Sequence, residues 1–134
     1  MGEWNHTASQ TLAARSGTCR NKANLFVALV RARQIPEGFS LLHVRGQEYL
    51  GPIVPVRLHK YRGHRSLHIY PGVFIDNPWI HCDPTDDRRF AEATVHVNPQ
   101  SHLVEWDGVH DAVLSLDPVY IPDRHGPMER SDDV

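Results

Sequence analysis

The segment that most constrains this chain is "CRNKANLFVALVRARQ", Cys19 to Gln34. Ala23, Phe26, Val27 and Val30 recur at helical spacing, and Leu25 and Leu29 widen the apolar stripe. A stripe that broad needs cover over more than a narrow seam, so the segment reads as a helix packed into the core. Lys22, Arg31 and Arg33 are left for solvent. Ser16-Gly17 in front, and Pro36 and Gly38 behind, are stop signals. A chain of 134 residues can build one core around such a helix without disulfide staples. A single domain is therefore expected over residues 1–121. A flexible tail is expected over 122–134, because "DRHGPMERSDDV" is polar and contains Pro and Gly.

The stretch "HTASQTLAARS" reads as a shorter helix, with Thr7 or Ser9 as its cap. After Gly38 the character changes. "FSLLHVRG" has strand composition, and "PIVPVRLH" is a second short candidate that Pro52 and Pro55 confine to an edge or a loop. "HRSLHIYPGVFIDNPWIHCDPT" holds apolar pieces at Leu67–Tyr70, Val73–Ile75 and Trp79–Cys82. Pro71-Gly72 and Asp76-Asn77-Pro78 separate them and read as turns of an antiparallel meander. "DDRRFAEA" suits a short helix with a solvated start, and "ATVHV", "HLVEWDG" and "AVLSLDPVYI" suit extended segments. Asp107-Gly108 suggests a hairpin turn. Helices first and strands later give an α+β class, with helices packed against one side of an antiparallel sheet.

Composition removes several function classes. The net charge is −2 with a pI near 6.5, and Arg and Lys are scattered, so no nucleic-acid partner is expected. No apolar run approaches the roughly 20 residues of a membrane helix. The opening "MGEWNHTASQ" lacks a basic region followed by an apolar one, so no signal peptide is expected. Two cysteines make no disulfide framework. A reducing, cytoplasmic setting follows as an expectation.

Cys19 stands at the head of the core helix, behind Ser16-Gly17-Thr18. A sulfur in a first turn meets unpaired N–H groups and the positive end of the helix dipole, which favour a thiolate. The same N–H groups can donate to an oxyanion formed when sulfur attacks a carbonyl. Gly17 permits a sharp turn and a close backbone approach. The bland alternative is a small buried hydrophobe. A nucleophile needs a base and an orienting group. His68 on one strand-like piece and Asp83 after another can lie side by side across an antiparallel pair.

These residues carry a family resemblance. "SGTCRNKANLFVALVRARQIPEGF" resembles the transglutaminase-like superfamily, in which a glycine-containing turn precedes a catalytic Cys at a helix start and the helix runs into an Ile-Pro segment. His68, Trp79 and Asp83-Pro84-Thr85 match that family's second block in order and spacing. Together the blocks span roughly residues 9–86. The resemblance implies a papain-like core with a Cys19–His68–Asp83 triad, acyl transfer through a thioester, and a peptide, protein or small amide as substrate. It implies no cofactor. Where the family often has Ala-Trp after its His, this chain has Ile69-Tyr70, so Tyr70 is the expected substitute for that aromatic at the substrate. An upstream oxyanion side chain has to come from the short lead, where Gln10 and Trp4 are candidates, with Gly17 and Thr18 supplying backbone. "RSGTC" also resembles the Arg-Gly-Gly-x-Cys of arylamine N-acetyltransferases, but the Asp-Pro-Thr block favours the transglutaminase-like branch. The alternative in another class is an inactive transglutaminase-like binding module.

The remaining polar residues read more simply. His81, Cys82 and Asp83 in a row, with His64 and His68, raise a zinc site, but the spacing does not match paired zinc-ligand patterns. No metal is expected. Cys82 reads as a core residue. His43, His59, His96, His102, His110 and His125 read as solvated or locally bonded, with His59 or His64 as a fallback base. Trp79 reads as core beside the site, with substrate contact as a second role.

Overall fold

The computed structural model of the chain describes residues 5–51, 54–61, 65–94, 106–112 and 121–128. Helix α1 (Ala8–Ala14) opens with a capping box. The Thr7 hydroxyl accepts the Gln10 N–H at 3.3 Å, and Gln10 Oε1 accepts the Thr7 N–H at 2.8 Å. Arg15, in the left-handed region at φ 52°, ends it. Gly17 then lets the chain fold back tightly, since a Cβ there would lie 2.7 Å from Asn21 Cβ. Helix α2 (Cys19–Ala32) follows, with the Thr18 hydroxyl accepting the Asn21 N–H.

Among the described residues four strands make one antiparallel sheet in the order β3-β2-β1-β4. They are β1 (Glu37–Val44), β2 (Ser66–Phe74), β3 (Trp79–His81) and β4 (Asp123–Met128). Two short helices, α3 (Gly46–Leu50) and α4 (Arg88–Thr94), complete the α+β arrangement with a 3-10 helix at Val56–Tyr61. Helix α2 runs along the sheet. Ala23 and Val27 meet Phe39, Leu41 and Ile69, with Cys19 packed against that cluster. Further along, Phe26 and Val30 pack on Val73, Ile80 and Cys82. On the other face Leu42, Val44 and Tyr70 cluster with Ile121. Strand β1 is covered on both faces, and residues 38–42 are all buried. Leu29, assigned to the stripe by spacing, is 58% exposed, so the buried face of α2 is narrower than the periodicity implies. No helix among the described residues is long and apolar enough to cross a membrane.

Several sequence expectations are corrected here. Pro71-Gly72 is not a turn. Strand β2 runs straight through it, with Phe39 opposite Pro71 and Gly38 opposite Gly72. The carbonyl of Pro71 accepts the Cys82 N–H at 2.8 Å, on the β3 side. In an antiparallel strand the N–H of a residue points the same way as its C=O. The donor that proline lacks would therefore face β3 just where β3 ends, so the ladder to β1 loses nothing. The reversal falls later, at Ile75–Pro78, where Asp76 (φ 49°) and Asn77 (φ 88°) both take positive φ, as a tight hairpin turn requires.

"PIVPVRLH" is not extended over its described part. Pro55 accepts the Leu58 N–H and starts a 3-10 helix, since proline's fixed φ suits a first helical turn. Asp107-Gly108 forms a side-chain-capped turn, with Asp107 Oδ1 accepting the Val109 and His110 N–H groups. The expected frayed tail is also overturned for residues 123–128, which form β4 against β1. Its pattern is hidden because Gly126 makes a bulge: φ is 135°, and a Cβ there would strike Ser40 Cα at 2.7 Å. The expected strands within 95–105 and 113–120 lie outside the described residues, as do Trp4 and His64.

Candidate active site

Two elements bring the sequence-selected residues together. Thr18 is the cap of α2, so Cys19 is its first helical residue and is partly buried. Strand β3 is only three residues long and ends opposite Gly72. The edge of β2 at Leu67–Ile69 is therefore not paired to β3. By the alternation fixed at Pro71, the Ile69 N–H points to that open edge. The Ile69 N–H there and the Arg20 N–H both lower the Cys19 thiol's pKa. The sulfur and the His68 imidazole interact directly.

His68 Nε2 lies 2.6 Å from Asp83 Oδ2, with side-chain exposures of 15% and 3%. Because Nε2 is engaged by the carboxylate, Nδ1 is the ring nitrogen left for the sulfur. The other carboxylate oxygen, Oδ1, accepts the Thr85 N–H at 3.0 Å, so both oxygens of Asp83 are held. The Asp83 N–H itself donates to Ala112 O at 2.7 Å.

The electrostatics follow from burial and partners. Burial pushes the Cys19 thiol up, but the hydrogen bond and charge of His68 and the two N–H groups together bring it below its ordinary value. Burial pushes His68 down. Its bonds to Asp83 and Cys19 outweigh this and raise it to about 10. Burial pushes Asp83 up, and His68 and Thr85 carry it below the usual carboxylate range. The two shifts run in the directions that favour a thiolate beside an imidazolium. Cys82 is the contrast: buried among Val73 and Ile80, it is pushed up to about 11 by burial and by the charge of Asp111.

Other expected contributors are placed differently. Gln10 is tied to its own helix by the capping box, with its oxygen committed to Thr7. Gly17 is needed for approach to Asn21 and Thr11. Tyr70 is 1% exposed and offers no surface to a substrate. It lies two residues from His68 on the same strand face and stacks beside the imidazole, with centroids 6.1 Å apart. Trp79 pairs with Phe74 at the far end of β2, six residues or roughly 20 Å from His68, and is half-exposed rather than core. His59 Nε2 donates within its own segment to Val54 O, 2.8 Å away.

Sequence reasoning missed two neighbours. Lys22, assigned to solvent, reaches across from α2, and its Nζ donates to Thr85 O at 2.5 Å. That bond ties the helix bearing Cys19 to the loop bearing Asp83. The only signal for it was position, one helical turn beyond Cys19. Asp86, read as a solvated helix start, is partly buried, and burial and the nearby charge of Asp83 raise its carboxyl.

A family model described as the transglutaminase-like superfamily covers residues 2–84, a span that contains Cys19, His68 and Asp83. No curated protein and no solved structure matches the chain.

Proposed function

The chain belongs to the transglutaminase-like superfamily, and from that premise we propose that it is a cysteine-dependent acyl-transfer enzyme acting on a carboxamide or peptide carbonyl, with a papain-like triad. One observation supports the reading: His68 Nε2 is held by Asp83 at 2.6 Å, and the same imidazole lowers the thiol of Cys19, the first residue of α2.

In the proposed cycle the Cys19 thiolate adds to the carbonyl carbon, forming a C–S bond and a tetrahedral oxyanion. The N–H groups at the head of α2 stabilise that charge. His68 gives its Nδ1 proton to the leaving amine, the C–N bond breaks, and an acyl-thioester remains. Water or a second amine then attacks, His68 takes its proton at Nδ1, the C–S bond breaks, and Cys19 leaves as the thiolate beside the imidazolium. Asp83 holds the ring orientation and stabilises its cation. Water as acceptor makes the enzyme an amidase or protease, and an amine makes it a transamidase.

The test is intact-mass detection of an acyl-enzyme after incubation with a peptide activated ester and a glutamine-containing peptide. An adduct on Cys19 that hydroxylamine removes, absent from Cys19→Ala and formed slowly in His68→Gln, is expected. No adduct with either donor, with Cys19 alkylating no faster than Cys82, would make the chain a binding module.

A further inference from the structure

The geometry points to a divalent-metal site on the sheet, built from His43 of β1 and Asp123 and His125 of β4, fitted to a first-row transition ion such as Zn²⁺. Among the described residues these three form a group whose ligand atoms all lie within 4.8 Å of one another. Nothing in the acyl-transfer chemistry uses them.

The register assembles the group. His43 stands opposite Asp123, and Leu41 opposite His125. Asp123 and His125 are two apart on their strand, so both side chains share the face of their partners. The bulge at Gly126 begins immediately after His125. Bulges of this kind re-aim the side chains beside them. Taken singly, His43 and His125 have no neighbour in sequence that marks them, and only strand pairing brings them together.

The polar bookkeeping favours a ligand. His43 Nδ1 is buried and makes no hydrogen bond. It faces Asp123 Oδ2 at 3.7 Å, beyond hydrogen-bond reach. His125 Nε2 lies 2.9 Å from the same oxygen, and the two imidazoles meet edge to face with centroids 6.1 Å apart. Bonds of about 2.0–2.2 Å from zinc to nitrogen and oxygen put tetrahedral ligands about 3.3–3.5 Å apart. The two printed spacings to Asp123, 3.7 and 2.9 Å, lie within about half an ångström of that range, and no pair is more than 4.8 Å apart, so side-chain adjustments of about 1.5 Å or less close the site. Two imidazoles and one carboxylate suit a borderline ion and not the all-oxygen shells of calcium or magnesium. Asp123 and His125 are half-exposed, so water completes the shell. A cation there cross-links β4 to β1.

Calorimetric titration with Zn²⁺ at pH 7.5 tests this, using protein whose Cys19 is blocked with iodoacetamide so that the thiolate does not compete. One ion per chain is expected, with affinity falling at least about tenfold in His43→Gln and in His125→Gln. The β4 amides should exchange more slowly in the zinc-loaded protein than in the metal-free one. His125 is exposed on the last strand, so its variant reads the site even if the His43 variant fails to fold. No uptake of zinc, or unchanged affinity in the His125 variant, overturns the site.

Discussion

Asp83 Oδ2 and His68 Nε2 stand 2.6 Å apart with the carboxylate almost wholly out of solvent. That bond decides which ring nitrogen meets the sulfur, and it ties the charge state of Cys19 to a carboxylate at the end of β3.

Cys19 should therefore alkylate with iodoacetamide well below the pH at which an ordinary thiol reacts, while Cys82 stays inert. In His68→Gln the largest lowering contact is gone, and the rate–pH curve of Cys19 should move to higher pH. Peptide mapping after timed labelling reads both cysteines in one sample. Equal rates for the two at pH 6 would break the ion-pair account.

Asp83→Asn leaves the shape of the side chain but presents the imidazole with the wrong partner. The acylation rate should fall roughly 10²–10⁴-fold, and the unfolding midpoint at pH 7 should fall as well, because the Asp83–His68 interaction stabilises the fold there. A loss under about threefold would mean that the carboxylate holds structure only.

Stability should depend on pH in two windows. Asp83 is lowered from 3.8, so its contribution is present above that value and lost as pH falls through its folded one. His68 is raised from 6.5 to about 10, so its contribution is full below 6.5 and lost as pH rises through about 10. Cys19, lowered from 9.0, acts in the opposite sense: its contribution is present above 9.0 and lost on acidification, so it makes the alkaline loss shallower. Urea unfolding of the wild type and Asp83→Asn from pH 2 to 10 checks this. The variant should lose the acid limb and most of the alkaline one.

Gly17→Ala should destabilise the fold by about 1–3 kcal/mol, as overpacking does, because the added carbon meets Asn21 Cβ at 2.7 Å. Chemical denaturation measures it. A neutral result would show that α1 can shift off α2 freely.

Much of the site was readable before the fold because its cues are local. A capped helix with Cys19 at its head, a hairpin turn at Asp76-Asn77, and an Asp-Pro-Thr run each carry their own periodicity or turn chemistry. Tyr70 was misjudged because alternation gives a face but not which face is covered, and Ile121 and Val44 cover this one. Pro71 was misjudged because whether its missing donor matters depends on where β3 stops. Strand β4 was illegible: "DRHGPM" has no apolar alternation, and its pairing depends on β1 and on a glycine that fits only against Ser40.

That last strand lies beyond the residues the family model matches, yet it forms one border of the sheet. A chain shortened to end at Pro122 would keep Cys19, His68 and Asp83 and still lose the cover over one side of β1. The bare amides and carbonyls of Phe39 to His43 would then form a template for another molecule of the same kind. Such a truncation should come out of cells as aggregate, and light scattering would register the fault long before any assay of chemistry did.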